Sequence, residues 1–158
     1  MHPAPPPARL RPLPIRLAVR GIVLRDDRLL LVNTWPGRQD FWSVPGGGAL
    51  PHQSLPENLM RELHEETGLA VAVGAPCLVN EFHDPEGAFH QVDIFFRCRL
   101  VAGDPDAEWR DPEGVVSHRR WVTRAEMEGL RVKPDRLAEV VWGGAGGIAY
   151  DPLEPIIW

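Results

Sequence analysis

One capped helix near the middle of the chain places the strongest constraint on the fold. Ser54-Leu55-Pro56-Glu57 has the form of a capping box, in which serine and glutamate bond each other's backbone amides and proline is tolerated in the first turn. Gly68 stands where helices commonly end in a left-handed residue. These signals predict a helix over about 55–67. Its core-facing side is marked by three leucines at helical spacing: Leu55, Leu59 and Leu63.

Segments on both sides of this helix have the short apolar pattern of strands. Leu17 to Leu24 and Leu29 to Val32 flank a polar turn and predict a hairpin. After the helix, the same pattern predicts strands at Ala70 to Val73, Leu78 to His83, Phe89 to Val101 and Val115 to Val122. Short helices are expected after the cap Thr123 and within Pro134 to Trp142. Strands mixed with helices in this order indicate an α/β sandwich.

The composition is that of one globular domain. Of 158 residues, 44% are hydrophobic and 25% are charged, and a chain of this size buries roughly 68–70% of its unfolded surface. Six of the 17 prolines fall within residues 1–14, which we interpret as a flexible or polyproline-like tail. Residues 15–158 are then the single domain. A tail that serves as a ligand for a proline-binding partner is the alternative.

Charge and hydropathy argue against two classes of partner. Seventeen Lys and Arg against 22 Asp and Glu give a net charge of −5, and the chain has no basic run that would bind a long nucleic acid. Apolar stretches are short and the N-terminus lacks the order of a signal peptide, so we expect no membrane contact and a cytoplasmic protein. Cys77 and Cys98 have no C-x-x-C spacing, which predicts buried free thiols.

Three glutamates on the predicted helix are the most informative chemical feature. On a helix that turns about 100° per residue, Glu62, Glu65 and Glu66 fall within an arc of roughly 100°, and Glu66 overlaps the leucine side. We therefore expect Glu66 to be at least partly buried. Clustered carboxylates resist ionisation unless a cation joins them, and ligand sets made of oxygen favour hard ions such as Mg²⁺ or Mn²⁺. The cluster predicts a divalent-metal site.

Two neighbouring features support the same site. Arg61 is placed to pair with Glu65 one turn later and with Glu57 one turn earlier, which would fix the rotamer of a ligand. The triple glycine at 46–48 lets the backbone come close to a bound group, so Gly47 and Gly48 are candidate substrate contacts.

The segment from Gly47 to Leu69 resembles the signature of the Nudix hydrolases. The family pattern is G-x5-E-x7-R-E-U-x-E-E-x-G-U, with U apolar, and the segment departs from it only at Gln53, where the family has glutamate. The approach at 42–47 and the late run Arg120-Trp121-Val122 are also similar to the family. The likeness extends over most of residues 15–142.

This resemblance implies an α/β/α sandwich with a mixed sheet and a loop–helix–loop catalytic motif. It implies a hydrolase that cleaves a pyrophosphate bond in a small nucleotide, which would be a nucleoside triphosphate, ADP-ribose or a nucleotide sugar. By analogy Glu62, Glu65 and Glu66, with the carbonyl of Gly46, would bind Mg²⁺ or Mn²⁺, and Arg61 would orient Glu65. Arg61, Glu62 and Glu65 are thus the catalytic candidates. A homodimer is frequent in the family, and a non-catalytic domain that binds a nucleotide-like ligand is the alternative function.

The loop before the helix departs from the family pattern. Gln53 keeps the hydrogen-bonding capacity of glutamate but removes one negative charge. Two interpretations remain open. The site binds fewer metal ions or binds them more weakly, or this position only supports the loop. His52 stands where the family commonly has glycine, and Leu50 where it commonly has glutamate.

Two loop residues and one proline are further candidates. Trp35 lies in a polar loop, where its ring is suited either to stacking on a nucleobase or to simple packing. Glu113 is the loop candidate for a catalytic base or substrate contact, and an exposed loop acid is the alternative. Pro85 lies 16 residues after Leu69, a position similar to that of a proline in ADP-ribose-cleaving members, but the short chain equally resembles members that degrade nucleoside triphosphates.

Overall fold

A computed structural model describes residues 14–33, 41–107, 118–144 and 146–155. The predicted tail therefore lies, apart from Pro14, outside the described residues. In chain order the elements are β1 (Arg16–Arg25), β2 (Arg28–Asn33), β3 (Phe41–Trp42), β4 (Gly46–Gly48), α1 (Leu55–Thr67), β5 (Ala70–His83), β6 (His90–Ala102), β7 (His118–Val122), α2 (Arg124–Glu128), β8 (Arg131–Val132), α3 (Leu137–Trp142) and β9 (Ala149–Pro155).

The main sheet is mixed, as the sequence predicts, and its strand order is β7-β2-β1-β6-β5-β9. Strands β1 and β6 are parallel, as are β5 and β9, whereas β2 pairs antiparallel with both β1 and β7. The short strand β4 pairs antiparallel with β1 through residues 46–48. Strands β3 and β8 form a separate parallel pair. This topology brings the glycine strand β4 beside the centre of the sheet.

Two apolar clusters lie on opposite faces of this sheet. On β2, Leu30 packs in the cluster of Leu59 and Leu63 from α1. Its neighbours Leu29 and Leu31 pack in the other cluster, with the side chains of α2 and α3. Because side chains alternate along a strand, this division assigns α1 to one layer and α2 with α3 to the other. We call these sides the α1 face and the α3 face. The predicted α/β/α sandwich is confirmed.

The predicted hairpin and central helix are present at the expected positions. Asp26 and Asp27 connect β1 to β2 with positive φ values of 49° and 62°, as in the tight turns that favour hairpins. Helix α1 begins after Ser54, whose Oγ accepts from the Glu57 amide at 3.1 Å while the Ser54 amide donates to the Glu57 carboxylate at 3.0 Å. It ends before Gly68, which has a φ of 72°. Local capping chemistry thus fixes both ends of the helix.

The sequence prediction differs from the structure at two of the longer strands, β5 and β9. The strands predicted at 70–73 and 78–83 are one continuous strand, β5, whose pairing with β6 is irregular on both sides of Pro76. Proline has no N–H to donate, so the ladder shifts register there without ending. Strand β9 was not predicted, because it contains Pro152 and Pro155 and follows a glycine-rich segment. Its pairing with β5 depends on a contact that is distant in sequence.

Both cysteines are free, as predicted, although Cys77 is buried and Cys98 only partly so. Burial raises the pKa of both thiols, that of Cys98 to about 12, so neither is a ready nucleophile at neutral pH. Within the described residues, no helix has the length and apolar character needed to span a membrane.

Candidate active site

Helix α1 presses its acidic side against the glycine strand β4. A Cβ built on Gly47 would stand 2.5 Å from Oε2 of Glu62, closer than a real side chain permits. Glycine at position 47 is therefore required for the Glu62 carboxylate to lie against the strand backbone. The sequence predicted that the glycines allow a close approach, and the approaching group within the protein is Glu62.

Glu66 makes the second contact between α1 and β4. Its side chain is 6% exposed, and its Oε2 accepts from the backbone amide of Gly46 at 3.0 Å. The expectation that Glu66 is at least partly buried is confirmed. Because Glu62 and Glu66 are one turn apart, two successive turns of the helix are fixed on two successive glycines.

Arg61 links the remaining carboxylates. Its Nη1 lies 2.9 Å from Oε1 of Glu62 and 3.5 Å from Oε2 of Glu65, so the expected pair with Glu65 is present. The predicted pair with Glu57 is wrong, because the Glu57 carboxylate is engaged by the Ser54 amide in the capping box. One guanidinium thus contacts two glutamates and restricts their rotamers.

Asn58 is a site residue that the sequence analysis missed. It is fully buried, and its Oδ1 accepts from the Leu50 amide at 2.8 Å and from Nη2 of Arg61 at 3.0 Å. Its Nδ2 lies within 3.3 Å of the carbonyl oxygens of Leu50, Gln53 and Ser54. This side chain therefore fixes the loop before α1 and orients Arg61. Its one available signal was its position a turn before Glu62 on the same helix.

The structure describes all three loop residues that differ from the family pattern. His52 has a φ of 69°, the left-handed conformation that glycine adopts without cost, which accounts for the glycine common at that position in the resembled family. The Gln53 side chain is exposed, and the carbonyl oxygen of this residue accepts from Asn58. Leu50 is 53% exposed.

The oxygen donors of this site fit a hard divalent cation. Glu62 and Glu66 offer carboxylates beside the backbone of β4, and Glu65 offers a third on the same helix; such an oxygen donor set favours Mg²⁺ or Mn²⁺ over softer metals. Among the residues that the structure describes, no three acidic, histidine or cysteine side chains converge as a ready metal site. Arg61 contacts the carboxylates of both Glu62 and Glu65, so these two groups point toward its guanidinium and do not converge with Glu66.

Two of the predicted substrate contacts fall outside this description. Trp35 and Glu113 belong to ranges that the structure does not describe, so both stay predictions. Gly48 is described, and it contacts the guanidinium of Arg16, a residue that the sequence analysis did not select.

A comparison with known families agrees with the fold and the site. The NUDIX domain model matches residues 14–141, which is more than half of the chain. A layered α/β/α protein whose capped helix brings glutamates onto a glycine strand is the class of molecule that this family describes. The chain belongs to the Nudix family.

Known relatives cover part of this chain. A human protein named nucleoside diphosphate-linked moiety X motif 6 is 28% identical over 87 residues, which span 54% of this chain and 28% of the relative. Mouse diphosphoinositol polyphosphate phosphohydrolase 3-alpha is 29% identical over 99 residues, or 61% of this chain and 56% of that protein. The matched segment thus spans less than two thirds of the length of either relative.

The fold is similar to that of a solved structure from a bacterium. The crystal structure of an ADP-ribose pyrophosphatase from Streptococcus suis 89-1591 superposes with a TM-score of 0.61 and 20% sequence identity. The match covers 86% of this chain and 98% of that structure. At this identity the similarity establishes the shared architecture.

Proposed function

We propose that this protein is a divalent-metal-dependent pyrophosphohydrolase that cleaves a small molecule containing a nucleoside diphosphate. The observation that carries the proposal is the contact of Glu62 and Glu66 with Gly47 and Gly46, which concentrates carboxylates on a partly exposed backbone strand. The names of the human relative and of the similar Streptococcus suis enzyme support a substrate of the nucleoside diphosphate class. ADP-ribose, nucleotide sugars and nucleoside triphosphates are the candidates.

Each side chain of the site has a defined task in this proposal. Glu62, Glu65 and Glu66, with the Gly46 carbonyl, would hold the metal, and the chemistry that Mg²⁺ or Mn²⁺ supplies when bound is neutralisation of the pyrophosphate and activation of a water for in-line attack. Arg61 contacts Glu62 and Glu65 and orients both carboxylates. Asn58 fixes the loop over the helix N-terminus. The missing side chain at Gly47 leaves room for the Glu62 carboxylate against the strand on which the metal would be held.

The test compares wild-type protein with Glu62→Gln and with Glu128→Gln, a matched change at an exposed glutamate on α2. Each protein is incubated with Mg²⁺ or Mn²⁺ and a panel of nucleoside triphosphates, ADP-ribose, nucleotide sugars and dinucleoside polyphosphates, and products are separated by chromatography. We expect Glu62→Gln to lower kcat by about 10³-fold or more with no change in unfolding temperature, and Glu128→Gln to act as wild type.

Two outcomes would contradict the proposal. Full activity in Glu62→Gln would show that the site lies elsewhere. If no panel member is cleaved while one of them raises the unfolding temperature, the site binds a nucleotide without turnover, and Gln53→Glu is then the variant that tests whether the missing charge is the reason.

A further inference from the structure

The glycine strand β4 is contacted by an arginine as well as by a glutamate. A Cβ built on Gly48 would stand 2.8 Å from Nη2 and 3.1 Å from Nε of Arg16. The guanidinium of Arg16 therefore lies against the backbone at Gly48, in the same way that the Glu62 carboxylate lies against Gly47. Two consecutive glycines are thus approached by two side chains of opposite charge.

These two charged groups lie on opposite faces of β4. Neighbouring residues in a strand project to opposite sides, and Gly47 contacts α1. Arg16 instead projects to the same side of the sheet as Gln91 and Asp93 of β6. These two residues and Phe95 are alternate residues of the strand, and Phe95 belongs to the cluster on the α3 face, so Arg16 lies on the α3 face. Among the described strands β4 pairs with β1 alone. A phosphate at the free edge of this strand would therefore have carboxylates above it and a guanidinium below.

Buried polar groups hold Arg16 in place. Its Nη1 donates to Oε1 of Gln91 at 2.9 Å, and Nε2 of Gln91 donates to Oδ1 of Asp93 at 2.8 Å. The same Asp93 oxygen lies 3.3 Å from Nε of Arg20. Gln91 and Asp93 are 4% and 1% exposed, so this chain of polar contacts from Arg16 through Gln91 and Asp93 to Arg20 is a fixed part of the sheet. We call it the Arg16 relay.

The Arg16 relay has an excess of positive charge and lies next to the site. It contains two guanidinium groups and one carboxylate, and the carboxylate pairs with Arg20, while the described partner of Arg16 is a neutral amide. Arg16 is also exposed. In a protein with a net charge of −5, an oriented and accessible guanidinium beside the glycine strand is suited to an anion.

We propose that Arg16 binds a phosphate of the pyrophosphate group of the substrate, on the side of β4 opposite the glutamates. The inference rests on the proposed function for the identity of the anion. It assigns Arg16 to substrate affinity, because a phosphate contact made equally in the bound substrate and during the reaction lowers KM and leaves kcat unchanged.

The experiment measures two quantities in Arg16→Gln, Arg16→Lys and the control Arg99→Gln, which removes the same charge from an exposed arginine on a different strand, β6. The first is the Kd of inorganic pyrophosphate with Mg²⁺, measured by calorimetry. The second is KM and kcat for the substrate found in the panel. Because a hydrogen bond to a charged group is worth about 1.5–3 kcal/mol, we expect Arg16→Gln to raise both Kd and KM roughly 10- to 100-fold at unchanged kcat.

The remaining variants complete the test. Arg16→Lys keeps the charge but loses the planar fork, so its Kd and KM should fall between those of wild type and Arg16→Gln. Arg99→Gln should stay within about twofold of wild type, as expected for a distant screened charge. Equal Kd and KM values in Arg16→Gln and Arg99→Gln would overturn the inference.

The two readouts separate this inference from the proposed function. If wild-type protein binds pyrophosphate in an Arg16-dependent manner but cleaves nothing, the anion site is supported and the hydrolase proposal fails. If wild type cleaves a panel substrate and Arg16→Gln does so with unchanged KM, the hydrolase stands and the role of Arg16 is wrong. Absence of both binding and cleavage in wild type would contradict both.

Discussion

Two carboxylates, Glu66 and Asp151, are equally buried at 6% exposure but lie on opposite faces of the sheet in different surroundings. Glu66 accepts from the backbone amide of Gly46, within a segment of about twenty residues that forms the site. Asp151 of β9 accepts from Nδ2 of Asn80 at 3.2 Å, and the same amide group donates to Glu154 at 3.0 Å. Burial, and next the nearby Glu154, raises the pKa of Asp151. Equal burial therefore does not imply equal function: the chemistry depends on what the surrounding residues offer.

Glu66→Gln tests the first half of this comparison and has the largest expected effect. Glutamine keeps the size of the side chain and an oxygen for the Gly46 amide, but it removes a charge from the proposed metal site. We expect a loss of activity of about 10²-fold or more and a higher Mg²⁺ concentration for half-maximal activity, since even indirect partners of metal ligands are worth 10- to 100-fold.

The matched control for that variant is Asp151→Asn, which neutralises a carboxyl of the same exposure on the other face. Its activity should remain within about twofold of wild type, as for other changes distant from a site. Similar activity losses in the two variants would show that burial of charge, rather than the position beside β4, determines the effect.

Strand β7 allows the two faces to be compared at adjacent residues. Arg119 faces α1 and donates to the carbonyl oxygens of Thr67, the last residue of α1, and of Ala107, and to that of Asp104 at 2.8 Å. Arg120 projects to the α3 face, where its Cζ lies 5.9 Å from the centroid of the Trp42 ring. We expect Arg119→Ala to lower the free energy of unfolding by about 2 kcal/mol, because three carbonyl groups and a helix C-terminus lose a cation.

Arg120→Ala removes an exposed cation–π contact and should cost about 0.5 kcal/mol. Both values come from urea unfolding of the variants and wild type under the same conditions. An equal cost for the two arginines would contradict the view that the α1 end is anchored from β7.

The contacts that the sequence predicted are local, whereas several that it missed join distant segments of the chain. The caps Ser54 and Gly68, the acidic side of α1 and the approach of the glycines all lie between residues 46 and 69, where local spacing determines geometry. By comparison, Arg16 meets Gly48 through strand pairing, and Asn80 meets Asp151 through β9. Contacts of this kind depend on which strands pair, and a single sequence does not specify that pairing.

Asp151→Asn also carries a prediction about pH. Because the pKa of Asp151 is raised above its ordinary value of 3.8, the folded protein binds more protons than the unfolded chain between 3.8 and the raised pKa. Wild-type stability from this group therefore falls as pH rises through that window, and the cost of the buried charge is complete above the raised pKa. Asparagine avoids this cost and can still accept from Asn80.

We expect Asp151→Asn to be more stable than wild type at pH 7, with a higher Tm, because the substitution removes the cost of the buried charge. The gain should shrink as the pH approaches 4. Glu86→Gln, at an exposed turn residue, is the control and should change stability by less than about 0.5 kcal/mol at every pH. A gain that does not vary with pH would mean that the substitution acts through packing rather than through charge.

The smallest expected effect concerns backbone strain in the loop before α1. His52 is exposed and has a φ of 69°, so its Cβ destabilises a conformation that glycine adopts freely. His52→Gly relieves this strain but gives the unfolded chain more freedom, and we expect a net gain of about 0.5 kcal/mol. Activity should be unchanged, because Asn58 rather than His52 holds the loop.

The control is Ala88→Gly in the exposed turn between β5 and β6. There φ is not positive, and the removal of a Cβ should cost about 0.5 kcal/mol. If both substitutions destabilise equally in urea unfolding, the left-handed backbone at position 52 is not strained, and the departure from glycine there carries no cost.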